Sequence, residues 1–156
     1  MDNMIALLEQ SDRVCQINLM GIPTLRYFER LLEGMQKPLP ELTDLTLWSL
    51  NYATMSVVPD SFLGGYAPRL RELSLDRVPF PGLPKLILSA TNLVSLHLLS
   101  IPNSGYILPE AMLTALSSQP ISDHFTLDSN PLDLTLTGQA NIGLLLNSLS
   151  SPYSWS

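Results

Sequence analysis

Charged residues are scarce in this chain, and basic residues are the scarcest. Only 14% of its 156 residues are charged, and 8 Lys and Arg against 14 Asp and Glu give a formal net charge of −6. All the basic residues lie at or before Lys85. Proteins that bind nucleic acid need basic side chains to neutralise phosphates. We therefore expect no nucleic-acid partner.

Cysteine, glycosylation sequons and long apolar runs are also missing. The single cysteine, Cys15, has no internal partner for a disulfide, and no Asn-x-Ser/Thr sequon occurs. The apolar segment from Met4 to Leu8 is too short for the core of a signal peptide, and no run approaches the roughly 20 apolar residues of a membrane span. These absences predict an intracellular protein, cytoplasmic or nuclear, without a membrane partner.

Catalytic motifs are lacking as well. The sequence contains no G-x-S-x-G, G-x-G-x-x-G, H-E-x-x-H or C-x-x-C motif and no phosphate-binding P-loop. We therefore predict that the chain is not an enzyme and has no catalytic residues, no metal site and no cofactor.

Leucine, by contrast, recurs in one frame. The segment ELTDLTLWSL has leucines at 42, 45, 47 and 50, and the same spacing returns in DRVCQINLMGI, PRLRELSLDRV and TNLVSLHLLSI. A degenerate copy, SDHFTLDSN, keeps only Phe125 and Leu127. The third apolar position falls at 19, 47, 75, 98 and 127, at intervals of 28, 28, 23 and 29. This regularity indicates one structural unit that is repeated.

The frame L-x-x-L-x-L with this period resembles that of leucine-rich repeats. The resemblance implies an α/β solenoid of about five irregular repeats, with short parallel strands on the concave face and helices or turns on the convex face. An ordinary α/β domain with leucine-rich strands is the alternative. The repeats are irregular because the consensus asparagine is replaced by Ile22, Leu50, Val78 and Ile101. The strands are expected near 16–20, 44–48, 72–76, 95–99 and 124–128.

Segments between the strands carry helical patterns. Residues 23–35, with Pro23 at the expected first helical position, and 109–118 predict helices, whereas 59–66 and 83–91 predict one or two turns each. The array is expected to cover 1–128. Residues 129–156 then form a divergent cap or a partly disordered tail, in which an extra strand at 132–136 precedes a helix through Leu149.

The long units and helical return segments are similar to the repeats of fungal F-box/leucine-rich-repeat proteins. In that family the F-box recruits a ubiquitin ligase, and the repeats hold the substrate. The chain lacks an F-box, because LPEL at 39–42 leads directly into the second strand. The resemblance implies a non-catalytic protein-interaction module and, more specifically, the substrate-recognition repeats of an F-box-like ubiquitin-ligase subunit. The alternative is a fragment of a longer repeat protein without independent function, which self-associates through an uncapped N-terminal end.

A partner protein would contact the side chains that alternate with the core leucines. Trp48, beside Met20 and an acidic pair, has the composition of a protein-contact patch. The competing interpretation is that a loop or a neighbouring repeat covers Trp48. The predicted binding residues on the concave face are Met20, Asp44, Thr46, Trp48, Glu72, Ser74, Asp76, His97 and Leu99.

Two histidines leave a less favoured alternative open. His97 and His124 fall on neighbouring predicted strands, one step out of register, so a metal-dependent enzyme that uses them is the rival hypothesis. Cys15, at the edge of the first strand, is expected to be a partly buried thiol rather than a nucleophile.

Overall fold

The computed structural model describes residues 2–10, 12–50, 56–105, 107–118, 124–129 and 132–136. Helices and strands alternate along these segments. In chain order the elements are α1 (Asp2–Glu9), β1 (Gln16–Ile22), α2 (Leu25–Gly34), β2 (Asp44–Ser49), a 3-10 turn (Phe62–Gly65), β3 (Glu72–Asp76), α3 (Leu83–Ser89), β4 (Ser95–Leu99), a second 3-10 turn (Asn103–Gly105), α4 (Pro109–Ser117), β5 (His124–Ser129) and β6 (Leu132–Leu136).

The strands form one sheet in the order of the chain. Neighbours from β1 to β5 are parallel, and β6 pairs with β5 in the antiparallel sense. Corresponding leucines stand opposite one another, so that Leu47 pairs with Leu75 and Leu75 with Leu98. The prediction of an α/β fold with short parallel strands and connecting helices is confirmed.

A recurring hydrogen-bond arrangement sets the start of three successive strands. The carbonyl oxygen of Cys15 accepts bonds from two consecutive N–H groups, those of Thr43 and Asp44, at 2.7 and 3.2 Å. The Thr43 carbonyl accepts from Arg71 and Glu72, and the Arg71 carbonyl accepts from the next pair, residues 94 and 95. Each strand is therefore aligned on its predecessor by the same contact, which keeps the leucines of successive units level.

The core lies between the sheet and the helices. Inward leucines of β2, β3 and β4 join one cluster of buried residues with side chains from α2, α3 and α4. On α2, Phe28, Leu31 and Leu32 are buried, as their helical spacing predicts. This helix begins at Leu25 because the Thr24 side chain caps it, accepting a hydrogen bond from the Tyr27 N–H at 3.3 Å. The expectation that Pro23 is the first helical residue is therefore wrong.

The fourth apolar position of the frame does not have the same environment in every unit. Ile22 and Val78 are buried, but Leu50 is 49% exposed. In its place Ser49, the last residue of β2, points into the core. Leu50 therefore differs from Ile22 and Val78, because β2 continues its in-out alternation one residue further than β3 or β4.

The last described strand, β6, occupies the positions predicted for an extra strand. Its antiparallel pairing with β5 places Leu127 opposite Leu134. The helix predicted through Leu149 lies outside the described residues.

Candidate functional site

The outward side chains of neighbouring strands line up in rows that run across the sheet, because the residues of adjacent strands are paired in register. In β2, β3 and β4 the buried leucines alternate with residues that are half-buried or exposed. We call the surface made by the outward residues of β1–β4 the strand face; it includes all nine predicted binding residues. Met20 (65% exposed) and Glu72 are exposed, and the other seven are half-buried: Asp44, Thr46, Trp48, Ser74, Asp76, His97 and Leu99.

The first row of the strand face is acidic. Asp44 stands directly opposite Glu72 on the next strand. Asp44 accepts hydrogen bonds from Gln16 Nε2, at 3.1 Å, and from the Thr43 hydroxyl. These donors are neutral, and within the described part of the chain neither carboxylate forms an ion pair. Two negative charges therefore lie side by side without a cation between them.

The middle row is uncharged apart from a histidine. Thr46 pairs in register with Ser74, and Ser74 with His97. His97 Nε2 lies 2.8 Å from the Ser95 hydroxyl oxygen. A serine beside a histidine is half of a nucleophile–base arrangement, which also needs a group that orients the base and donors for an oxyanion. No such third group contacts His97 among the described side chains.

The metal alternative finds no support in the described side chains. The backbone of His124 pairs with that of Ser95. His124 is therefore on the strand next to His97 but shifted by two residues in the register. The side chain of His124 is outside the described part of the structure. Over the residues whose side chains are described, no three His, Cys, Asp or Glu residues come together as a metal site.

The third row combines an indole, a carboxylate and a leucine. Trp48 stands opposite Asp76, and Asp76 opposite Leu99. Asp76 Oδ1 is 3.6 Å from Nε of Arg77, the residue that follows β3. Trp48 is half-buried; its Nε1 is inaccessible to solvent and has no hydrogen-bond acceptor among the described residues. A buried N–H without an acceptor is costly, but because solvent does not reach this atom, only the exposed part of the Trp48 side chain is available to a partner.

Met20 does not join this row as the frame predicts. The register between β1 and β2 is irregular from Leu19 to Ile22, and Ile22 pairs with Ser49. Gly21 has a φ of 71°, a left-handed conformation that glycine adopts without strain and that bends the strand. Met20 therefore has no register partner on β2, although its side chain is exposed.

Two contacts of the site were not predicted from the sequence. Ser95 and His97 occupy alternate positions of one strand, so the Ser-x-His spacing was a signal for their contact. The Arg77–Asp76 contact had no such signal, because Arg77 follows the strand with a φ of 60° that the frame does not encode. Cys15 is exposed, with Sγ 3.7 Å from the Arg13 carbonyl, so the expectation of a partly buried thiol is wrong.

None of the helices in the described segments is long and apolar enough to cross a bilayer. In comparisons with known proteins, no family model, no curated protein and no solved structure matches the chain. The strand face is therefore the feature of the described structure that points to a function.

Proposed function

We propose that the chain is a leucine-rich-repeat solenoid that binds another protein through its strand face, the concave side of the array. The in-register leucines and the repeated carbonyl contacts of Cys15, Thr43 and Arg71 support the solenoid, because each unit is aligned on its neighbour by the same bonds. The binding role is proposed because the two sides of the sheet differ: the inward leucines join one buried cluster with side chains of the helices, whereas the outward residues of the strand face are not members of that cluster.

The observation that carries the proposal is the composition of the strand face. Polar side chains in rows surround the half-buried Trp48, and exposed Met20 lies on the neighbouring strand. Protein interfaces typically place aromatic and methionine anchors within a polar rim, and the anchors supply most of the binding energy. No described side chain on this face completes a catalytic or metal site, so binding is the function that it suits best.

We further propose that the bound protein is a substrate of a ubiquitin ligase. Its support is the resemblance of the long irregular units to F-box/leucine-rich-repeat proteins. The test is whether depleting the chain slows ubiquitination of a protein that binds the strand face. If depletion of the chain left the ubiquitination of the partner unchanged, the proposed role in ubiquitination would be wrong, but the proposed binding function would stand.

The binding function is tested with two matched double variants. Trp48→Ala with Asp44→Ala removes an aromatic residue and a carboxylate from the strand face. Tyr66→Ala with Asp60→Ala removes the same two kinds of group from an exposed turn elsewhere. Partners would be identified by proximity labelling with the unaltered chain and then titrated against all three proteins.

We expect the strand-face variant to lose at least about tenfold in affinity, the typical result of removing an interface anchor. The turn variant should bind as the unaltered chain does. Circular dichroism would check that both variants are folded. If every partner bound the two variants equally well, the strand face would not be the binding surface.

A further inference from the structure

We infer that the strand face binds a basic, extended segment of the partner, with a Lys or Arg side chain seated at Asp44 and Glu72. This inference rests on the proposed function and specifies the chemistry of the partner. Two observations carry it: the segregation of charge in the fold, and the acidic pair that no described cation neutralises.

Charge is segregated between the strands and the rest of the chain. None of the eight Lys and Arg residues lies in a strand. Acidic residues occur in four of the six strands, and they are Asp44, Glu72, Asp76, Asp128 and Asp133. Three of them, Asp44, Glu72 and Asp76, are outward residues of the strand face and give it a negative potential, which attracts cationic partners and repels anionic ones.

The acidic pair is a local position for a cation. Asp44 and Glu72 are level on adjacent strands, which lie about 4.8 Å apart in a sheet. Like charges directly opposite each other are destabilising. The donors to Asp44 are neutral, and no described cation lies between the two carboxylates. A Lys or Arg side chain from a partner relieves this repulsion, and the planar arginine fork bonds carboxylates in two places at once.

The extended form of the segment follows from the position of Trp48. It lies four residues beyond Asp44 on the same strand, so the two positions are separated by about 13 Å at about 3.3 Å per residue. An extended chain of about four residues spans the same distance. Such a chain reaches both the acidic pair and the exposed part of the half-buried Trp48 side chain.

A neutral or acidic segment fits the face less well. It would cover Asp44 and Glu72 without supplying a cation, and a carboxylate that loses water without gaining a partner is strongly unfavourable. Arg77, the basic residue that follows β3, lies within 3.6 Å of Asp76 and forms no ion pair with Asp44 or Glu72 among the described residues. The charge requirement is therefore for a positive partner.

The experiment uses three fluorescein-labelled synthetic peptides that differ only at alternate positions. One has lysine at these positions, one glutamine and one glutamate, in the same leucine- and tyrosine-containing frame. Binding to the full chain is followed by fluorescence anisotropy at low and at physiological salt. We expect the lysine peptide to bind at least about tenfold more tightly than the glutamine peptide, and its affinity to fall with salt.

Matched variants separate the acidic pair from the net charge. Asp44→Asn with Glu72→Gln should weaken the lysine peptide by about tenfold or more. Asp60→Asn with Glu33→Gln makes the same change in net charge away from the strand face and should leave the affinity unchanged. Circular dichroism again checks the fold of both proteins.

Three results would overturn the inference: no binding of the lysine peptide, equal binding of the lysine and glutamine peptides, or equal weakening by the two double variants. The binding function itself is judged separately, by Trp48→Ala with Asp44→Ala against a labelled partner. If that partner requires the strand face but has no basic segment there, the proposed function stands and the inference is wrong.

Discussion

Arg77 and Ser100 have φ angles of 60° and 47° directly after β3 and β4. At both places the following residue, Val78 or Ile101, turns back to pack on the core. At the end of β2, neither Ser49 nor Leu50 has a positive φ, and Leu50 is exposed. The conformation of one residue at the strand end therefore decides whether the next apolar side chain is buried.

This difference is measurable by truncating two leucines of one unit. Leu47 is fully buried in β2, so Leu47→Ala removes a core side chain and should lower the free energy of unfolding by about 2–5 kcal/mol. Leu50→Ala removes an exposed side chain and should cost less than about 1 kcal/mol. Urea denaturation of both variants gives the comparison. Equal losses would mean that Leu50 is a core residue after all.

Replacing Ser100 tests the left-handed conformation itself. A non-glycine residue in this region is strained, so Ser100→Gly should raise the free energy of unfolding by about 0.5–1 kcal/mol. Ser104 is an exposed serine nearby whose φ is not positive, and Ser104→Gly should lower stability by a similar amount. Thermal unfolding shows whether each variant is more or less stable than the unaltered chain. A loss of stability in both variants would contradict the assigned backbone angle.

Alternation of leucine and polar residues was enough to predict which strand residues face outward, including Asp44 beside Glu72. The frame could not distinguish Leu50 from Val78, because both have the same letter pattern and differ only in the backbone before them. Gly21 marked the irregularity of β1, since glycine favours a positive φ, but the displacement of Met20 depends on pairing that spacing alone does not give.

At the scale of elements, caps and close approaches of the backbone fix the ends that periodicity leaves open. The stripe of apolar residues predicted α2, but its first residue depends on the Thr24 side chain. The turn at Phe62–Gly65 is likewise set by two glycines with φ near 70° and by the N–H of Leu63, which bonds the carbonyl of Met35 at 2.7 Å. This turn ties the second unit to the first.

The two glycines of this turn provide a matched pair. A Cβ on Gly64 would lie 2.7 Å from Pro38 Cγ, whereas one on Gly65 would meet nothing closer than 3.5 Å. Both alanine variants carry the strain of a positive φ, roughly 1–2 kcal/mol. Gly64→Ala should cost a further 1–3 kcal/mol or so because the proline ring must move. Chemical denaturation would show the difference, and equal costs would place Pro38 further from the turn.

At the scale of the molecule, the repeated frame pairs corresponding residues of successive strands. Their outward side chains therefore form rows across the strand face. That consequence is why the strand face could be anticipated from the sequence, although the state of its indole N–H could not. The first unit differs from the others at one edge. Among the described residues no strand pairs with the outer edge of β1.

The outer edge of β1 should be the weakest part of the sheet. Its inward side chains Ile17 and Leu19 are 9% and 8% exposed, against 1% for both Leu73 and Leu75 of β3. Local opening is easier where fewer contacts cover the backbone and where peptide groups lack partners. In hydrogen exchange measured by mass spectrometry, the amides of β1 should exchange faster than those of β3.

Varying the protein concentration shows whether the outer edge of β1 stays free or pairs with a second copy of the chain. If the first unit self-associates through the edge of β1, exchange in β1 should slow as the protein is concentrated, while β3 stays unchanged. Light scattering over the same range should then show a rising mass. An outward lysine, Asn18→Lys, should reverse both effects, because a charge on an edge strand opposes strand pairing. Protection of β1 equal to that of β3 in dilute solution would show that the first unit needs no further cover.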